Sequence, residues 1–224
     1  MSLQDAMQKL AKDAVKQIKA AKVIGLGSGS TVTHIVREMA KLSNKGSIEF
    51  IPTSLQIKLE AEKSALHIAD ESRVPDIDIV FDGADQIDAK FNMIKGGGGA
   101  LLKEKILISA AKKVVIVADY SKFVQSFNRS VPIEVHPMAR IVVHKKLTEI
   151  GARPALRTLD RGYPFITENG NIILDTTFSS MPDPKKKEVE LKCIAGVIEV
   201  GLFTRRADIY YKAKSNGTFE AITF

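Results

Sequence analysis

Apolar residues recur at three- to four-residue intervals through Leu3, Met7, Leu10, Ala14 and Ile18, which predicts an amphipathic helix with Ser2 and Asp5 placed to cap its start. Residues 23–26 form a short apolar run, expected as a strand, that leads into Gly25-Leu-Gly-Ser-Gly-Ser-Thr31. A second helix follows at once, with Val32, Ile35, Val36, Met39 and Leu42 on one face. The rhythm then continues as a strand over 47–52, a helix over 55–66, a strand over 76–81, a helix over 101–111 and a strand over 114–118. Repeated strand–helix units of this length predict a mostly parallel sheet with helices on both faces.

From about residue 131 the rhythm changes. A strand at 133–135 and a helix over 140–150, ending at Gly151, precede a strand over 152–159. Residues 163–167 and 171–175 read as strands joined through Asn169-Gly170, a hairpin signal. A helix over 184–194 and a strand over 197–200 complete a strand–helix–strand–strand–helix–strand order, that of a split βαβ module. The tail, 207–224, reads as a hairpin around Asn216-Gly217 that returns to the main sheet. The expected fold is therefore α/β: a mostly parallel, Rossmann-like sheet built from 1–130 and 204–224, with a smaller α+β, ferredoxin-like domain over 131–203 serving as lid or oligomerisation module.

One stretch breaks this regular pattern. The apolar run 77–81 ends in Asp82-Gly-Ala-Asp-Gln-Ile-Asp88, and Lys95-Gly-Gly-Gly-Gly-Ala-Leu-Leu-Lys-Glu104 follows after a short link. Consecutive glycines raise the entropic cost of ordering a chain, so this run implies close approach to its backbone. In parallel sheets ligands sit beyond the carboxyl ends of the strands. The segments 27–31, 82–85 and 119–122 all follow predicted strands, and are expected to line one crevice.

Taken singly, each motif has a plain reading beside a chemical one. The glycine spacing after residue 25 is not the dinucleotide fingerprint, and the P-loop lysine is missing. What remains is an anion nest of hydroxyls and N–H groups for one phosphate, or simply a tight turn. Asp82 and Asp85 either cap a turn or move protons at sugar oxygens. Their spacing does not match an EF-hand calcium loop, and no metal is expected. Lys95 beside four glycines is either a solvated lysine or a charged donor aimed at a developing oxyanion. Glu104, taken alone within Lys103-Glu-Lys105, reads as an ordinary helix face. His34, His67, His136 and His144 show no ligand or triad spacing, and Cys193, in an apolar helical run, reads as core.

Composition narrows the classes. The chain has 224 residues, 45% hydrophobic and 26% charged, which suffices for a substantial core. No apolar run approaches the roughly 20 residues of a membrane span, and the first ten residues lack the apolar core of a signal peptide. The single cysteine excludes an intrachain disulfide and fits a reducing compartment, so a cytoplasmic location is expected. The net charge of +7 is spread along the chain, with its densest run at Lys185-Lys186-Lys187. Without zinc-ligand spacing or a nucleic-acid motif, the expected partner is an anionic small molecule, not nucleic acid or a membrane.

Four blocks in order, Gly25-Leu-Gly-Ser-Gly-Ser-Thr31, Asp82-Gly-Ala-Asp85, Lys95-Gly-Gly-Gly-Gly-Ala100 and Lys103-Glu-Lys105, make the chain resemble the type A ribose-5-phosphate isomerases. Supporting segments at 118–122, 132–140, 169–175 and 201–203 extend the resemblance over nearly the whole length. It implies interconversion of ribose 5-phosphate and ribulose 5-phosphate, in the non-oxidative pentose phosphate pathway, with no metal and no organic cofactor. By that resemblance Glu104 carries a proton between C1 and C2 through an enediol(ate), and Asp82 and Asp85 assist ring opening and proton movement at oxygen. Lys95 and the amides of Gly96, Gly97 and Gly98 stabilise the oxyanion. Ser28, Gly29, Ser30, Thr31 and Lys122 bind substrate, chiefly its phosphate, and Gly83 and Ala84 also line the substrate. A homodimer or homotetramer is implied as well. Two positions depart from the family pattern: Gln86 stands where glutamate is usual, and Ser28 where threonine is common. A non-catalytic sugar-phosphate sensor and an amino-sugar phosphate deaminase are the other readings, and both would keep the glycine loop.

Overall fold

The computed structural model describes residues 2–224; Met1, which the sequence places at the start of the larger domain, lies outside them. The elements in chain order begin with α1 (Leu3–Ala14), β1 (Val23–Leu26), α2 (Ser30–Met39), β2 (Glu49–Pro52), α3 (Leu55–Lys63), β3 (His67–Ile68) and β4 (Ile79–Asp82). Then come β5 (Gln86–Ile87), β6 (Met93–Ile94), α4 (Leu101–Ala110), β7 (Lys113–Asp119), β8 (Val131–Val135) and α5 (Arg140–Glu149). The chain closes with β9 (Arg153–Leu156), β10 (Ile172–Thr177), α6 (Pro184–Lys192), β11 (Val197–Val200), β12 (Leu202–Phe203), β13 (Ile209–Ala213) and β14 (Phe219–Thr223).

Contacts divide the described residues into two compact units, one of residues 2–84, Lys103–Lys122 and Ala207–Phe224, the other of Asp85–Leu102 and Phe123–Arg206. Residues 85–102 and 123–130, which the sequence groups with the larger domain, thus fall in the second unit. The reason is pairing: β6 bonds to β5 and β12, and Val124 N–H donates to the Ile87 carbonyl.

The first unit holds a sheet in the order β14-β13-β7-β4-β1-β2-β3. All neighbours are parallel except the terminal hairpin β13–β14, which joins through β13 alongside β7. Strands β1 and β4 are buried along their length, which explains why they read as continuous apolar runs and not as alternating ones. Ile24, Leu26, Ile79, Phe81, Val115 and Val117 face one core with α1, α2 and α3. The intervening Gly25 and Val80 point the other way, where Leu107 of α4 meets them. Helices therefore cover both faces, as expected. At the amino end Ser2 and Asp5 form a reciprocal capping box.

In the second unit β11, β8, β10 and β9 form an antiparallel sheet in that order. Numbered within the βαββαβ module this is 4-1-3-2, the ferredoxin-like arrangement. A small sheet, β12-β6-β5, accompanies it.

Several expectations change. Residues 163–167 do not form a strand; only isolated pairs, Thr158 with Pro164 and Ile166 with Ile172, occur there. From Leu174 onward both edges of β10 are taken by β8 and β9, which leaves this segment only Ile172 to pair with, and Pro164 has no N–H to offer. The Asn169-Gly170 turn nevertheless forms, with Thr167 N–H donating to the Asn171 carbonyl and Gly170 at φ +78°. The expected helix over 55–66 stops at Lys63, and the short strand β3 follows. The strand expected over 76–81 begins at Ile79, since Pro75 and Asp76 close a 3₁₀ turn. Cys193 is exposed, not core: it caps the end of α6, whose buried positions are Pro184 and Leu191. Among the described residues no helix is long and apolar enough to cross a membrane.

Candidate functional site

In the first unit the neighbouring parallel strands β1, β4 and β7 end side by side, so the segments 27–31, 82–84 and 119–122 leave the sheet at one edge. Asp82 ends β4 and is fully buried, with Oδ1 accepting the Gly83 N–H at 2.7 Å. Its carboxylate lies where a Cβ on Gly27 would stand, so only glycine at 27 admits it. The Gly27 N–H donates to the Phe81 carbonyl, which fixes that approach.

The glycine loop runs into α2 through Gly29 at φ +100°, a conformation that favours glycine. No side chain caps this helix start. Ser28 Oγ lies 2.8 Å from Thr53 Oγ1 and 2.7 Å from Ser54 Oγ, and Gly29 N–H donates to Gln56 Oε1 at 3.1 Å. Thr53, Ser54 and Gln56 were not among the expected site residues. Their signal was available: they follow β2, the strand next to β1, and so leave the sheet at the same edge. A helix start with free N–H groups beside clustered hydroxyls suits a phosphate.

Glu104 sits in the first turn of α4 and is only 5% exposed, not on the solvated face that its lysine neighbours suggest. One turn later, Leu107 packs against β1 and β4 at Gly25 and Val80. Since α4 leads into β7, parallel to β4, it runs against the strands, and its first turn lies towards their carboxyl ends. Lys122 closes a 3₁₀ turn after β7 and is half-buried. Asp119 Oδ1 accepts the Ser121 N–H at 2.8 Å and holds that turn.

In the second unit Asp85 and the glycine loop are bonded to one another: Gly97 N–H donates to Asp85 Oδ2 at 2.7 Å. Lys95 is 2% exposed, its N–H donates to the Gly201 carbonyl, and its ammonium lies 5.4 Å from the centre of the Phe203 ring. Gly96 and Gly99 have φ of +103° and +83°, while Gly97 and Gly98 between them are exposed. Gln86 is buried and serves both ways, accepting the N–H groups of Asn128 and Arg129 at 3.1 and 3.2 Å and donating to Asn128 Oδ1. A glutamate there would lack that donor. Ser28, Gly29, Ser30, Thr31, Asp82, Gly83, Ala84, Glu104 and Lys122 thus belong to the first unit, and Asp85, Lys95, Gly96, Gly97 and Gly98 to the second.

The family model for ribose 5-phosphate isomerase A (phosphoriboisomerase A) matches residues 49–217. A ribose-5-phosphate isomerase of Dictyostelium discoideum is 39% identical, covering 97% of this chain and 97% of its own. Ribose-5-phosphate isomerase A 1 of Oceanobacillus iheyensis is 41% identical, over 91% of this chain and 92% of its own. The structure of ribose 5-phosphate isomerase A from Methanocaldococcus jannaschii superposes with a TM-score of 0.91 at 35% identity, with both chains fully covered. A D-ribose-5-phosphate isomerase solved in complex with phospho-erythronic acid gives a TM-score of 0.88 at 35% identity, covering 97% of this chain and 98% of that one. Likeness of this extent in both sequence and fold shows that the chain belongs to the ribose 5-phosphate isomerase A family, an aldose–ketose isomerase acting on ribose 5-phosphate.

Proposed function

We propose that this chain isomerises ribose 5-phosphate with Glu104 as the base on carbon. After ring opening, Glu104 takes the C2 proton of the aldose, an enediolate forms across C1 and C2, and the same carboxyl returns the proton to C1. The hydroxyl proton crosses between O2 and O1 with help from Asp82 and Asp85, and the product is ribulose 5-phosphate. Lys95 and the amides of Gly96 and Gly98 steady the negative oxygen; the Gly97 amide, expected to join them, is instead given to Asp85 Oδ2. Ser28, Gly29, Ser30, Thr31 and Lys122 hold the phosphate, with Gly83 and Ala84 lining the sugar. No metal or organic cofactor enters this scheme.

The observation that carries it is the burial of Glu104 in the first turn of α4, towards the strand ends where Asp82 closes β4. A carboxylate placed at a solvated helix face would have no such reason to be covered. A positioned base supplies about 10²–10⁴-fold and a single oxyanion donor about 2.7–4 kcal/mol, so the roles are complementary. Phospho-erythronic acid, a phosphorylated four-carbon acid, presents a planar carboxylate resembling the enediolate, and we expect this chain to bind it. We also infer a cytoplasmic homodimer or homotetramer, with the smaller α+β domain serving as lid or in assembly.

The test is isomerisation of ribose 5-phosphate in the presence of a chelator, with wild type beside Glu104→Gln. Turnover should persist in the wild type and fall by at least about 10²-fold in the variant, the scale of general-base loss. Near-normal turnover of Glu104→Gln would remove Glu104 from the mechanism. Glucosamine 6-phosphate in the same substrate panel separates the deaminase reading, and binding without turnover the sensor reading.

A further inference from the structure

Arg157 follows β9 in the second unit, and its guanidinium is shared between a carboxylate and the glycine loop. Nε and Nη2 donate to the two oxygens of Asp175 at 2.8 and 2.6 Å, a bidentate fork. The remaining nitrogen, Nη1, donates to the carbonyls of Gly96 and Gly97 at 2.8 and 3.0 Å. The guanidinium also lies 5.7 Å from the centre of the Phe165 ring, and that ring fills the space a Cβ on Gly99 would need.

A cross-strand ion pair would need only the fork to Asp175. The bonds to two successive carbonyls do something more. A trans peptide unit is planar, with its C=O and the following N–H pointing in opposite directions. Drawing the Gly96 carbonyl towards Arg157 therefore turns the Gly97 N–H away from it, and that N–H meets Asp85 Oδ2 at 2.7 Å. Drawing the Gly97 carbonyl the same way turns the Gly98 N–H away from Arg157 as well. Gly98 is exposed, and its N–H makes no hydrogen bond among the described residues. The Gly96 carbonyl also accepts the Gly99 N–H at 3.0 Å, but four glycines have no side chains to hold these planes, and Arg157 adds a clamp from outside the run.

We propose that Arg157, held by Asp175, is a positioning residue: it orients two peptide planes of the glycine loop so that the Gly97 N–H holds Asp85 and the Gly98 N–H is presented to the substrate oxyanion. The part concerning the oxyanion rests on the proposed role of this loop. The part concerning orientation does not. Arg157 touches no reacting atom and acts through the loop alone.

The test compares wild type, Arg157→Lys, Arg157→Met and Asp175→Asn by steady-state kinetics with ribose 5-phosphate and by NMR exchange of backbone amides with water. A lysine cannot make the fork and reach both carbonyls at once. In Arg157→Lys and Arg157→Met, kcat should fall about 10–100-fold, as for a misplaced donor, while KM changes less than about threefold, because the lost contact matters mainly in the transition state. Gly97 amide exchange should quicken, while amides of β8 keep wild-type rates. Added guanidinium should restore part of the turnover of Arg157→Met, and Asp175→Asn should show the same pattern more weakly. Unchanged kcat, or a kcat loss with unchanged Gly97 exchange, would overturn the proposal. If Arg157→Met fails to fold, Arg157→Lys and Asp175→Asn carry the same readouts. A wild type without isomerase activity would sink the functional reading, and the Gly97 exchange rates would still decide whether Arg157 orients the loop.

Discussion

Asp82 fills the space that any side chain on Gly27 would need. The two residues follow paired positions on adjacent strands, Leu26 beside Phe81, and the carboxylate folds over the bare Cα of Gly27. Gly27→Ala should therefore push the Asp82 carboxylate off the Gly83 N–H, at a cost of about 1–3 kcal/mol in stability, typical of overpacking. Turnover should fall with it. Gly46→Ala, where a new Cβ meets nothing within 4 Å, is the control and should leave both unchanged. Thermal melts and kcat for the two variants check the contrast.

The Ser28 hydroxyl is oriented by Thr53, which is buried and 2.8 Å away. Thr53→Val keeps the volume and removes that partner, leaving Ser28 with Ser54 alone. Loss of one neutral hydrogen bond predicts about 0.5–1.5 kcal/mol in stability. If the loop binds phosphate in ground and transition state alike, KM for ribose 5-phosphate rises and kcat holds. Steady-state kinetics distinguish this from a fall in kcat.

Gln86 serves three hydrogen bonds at a buried position. Gln86→Leu would strand the N–H groups of Asn128 and Arg129, and each unsatisfied donor costs about 1–3 kcal/mol. A lowered denaturation midpoint with an unchanged m-value is the expected result. Gln86→Glu keeps both acceptor contacts but must turn the Asn128 amide round, so it should be the milder of the two changes.

Asp78 supplies a pH-dependent contribution. Burial pulls its pKa upward, but the Lys112 ammonium and the N–H groups of Lys22 and Val23 outweigh it and hold the carboxyl below its ordinary value. A lowered folded-state pKa means that the ionised form stabilises the fold. This contribution is complete above the unfolded value, near about 3.9, and is lost as pH falls through the lowered folded value. Asp78→Asn should cost about 1 kcal/mol at neutral pH, the gap between charged and neutral hydrogen bonds. The difference from wild type should shrink below about pH 4. Urea unfolding at pH 7 and at successive steps below pH 4 follows that loss.

The local periodicities of this chain determined a good deal by themselves. The spacing in α1 and α2, the buried runs of β1, β4 and β7, and the Asn-Gly turns at 169 and 216 depend on residues within a few positions of each other, and the structure has them all, although α1 gives way to a 3₁₀ turn before Ile18 and β4 starts three residues late. The alternation of strands and helices carried the parallel sheet, because few topologies can bury such runs. Patterns of this kind say which face of an element is apolar, not which partner will meet it. The burial of Glu104 between two lysines was therefore illegible, since nothing in the helix's own sequence says which of its faces is covered in the folded chain. Residues 163–167 looked like a strand because nothing local records that β9 and β8 occupy both edges of β10 from Leu174 onward. Cys193 looked apolar in context yet falls at the end of α6, on its exposed side. Arg157 meets Gly96 across 61 positions of sequence, and Asp82 meets Gly27 across two parallel strands. Contacts so distant in the chain exist only once the sheets have formed, and the orientation of the glycine loop was decided by that tertiary structure alone.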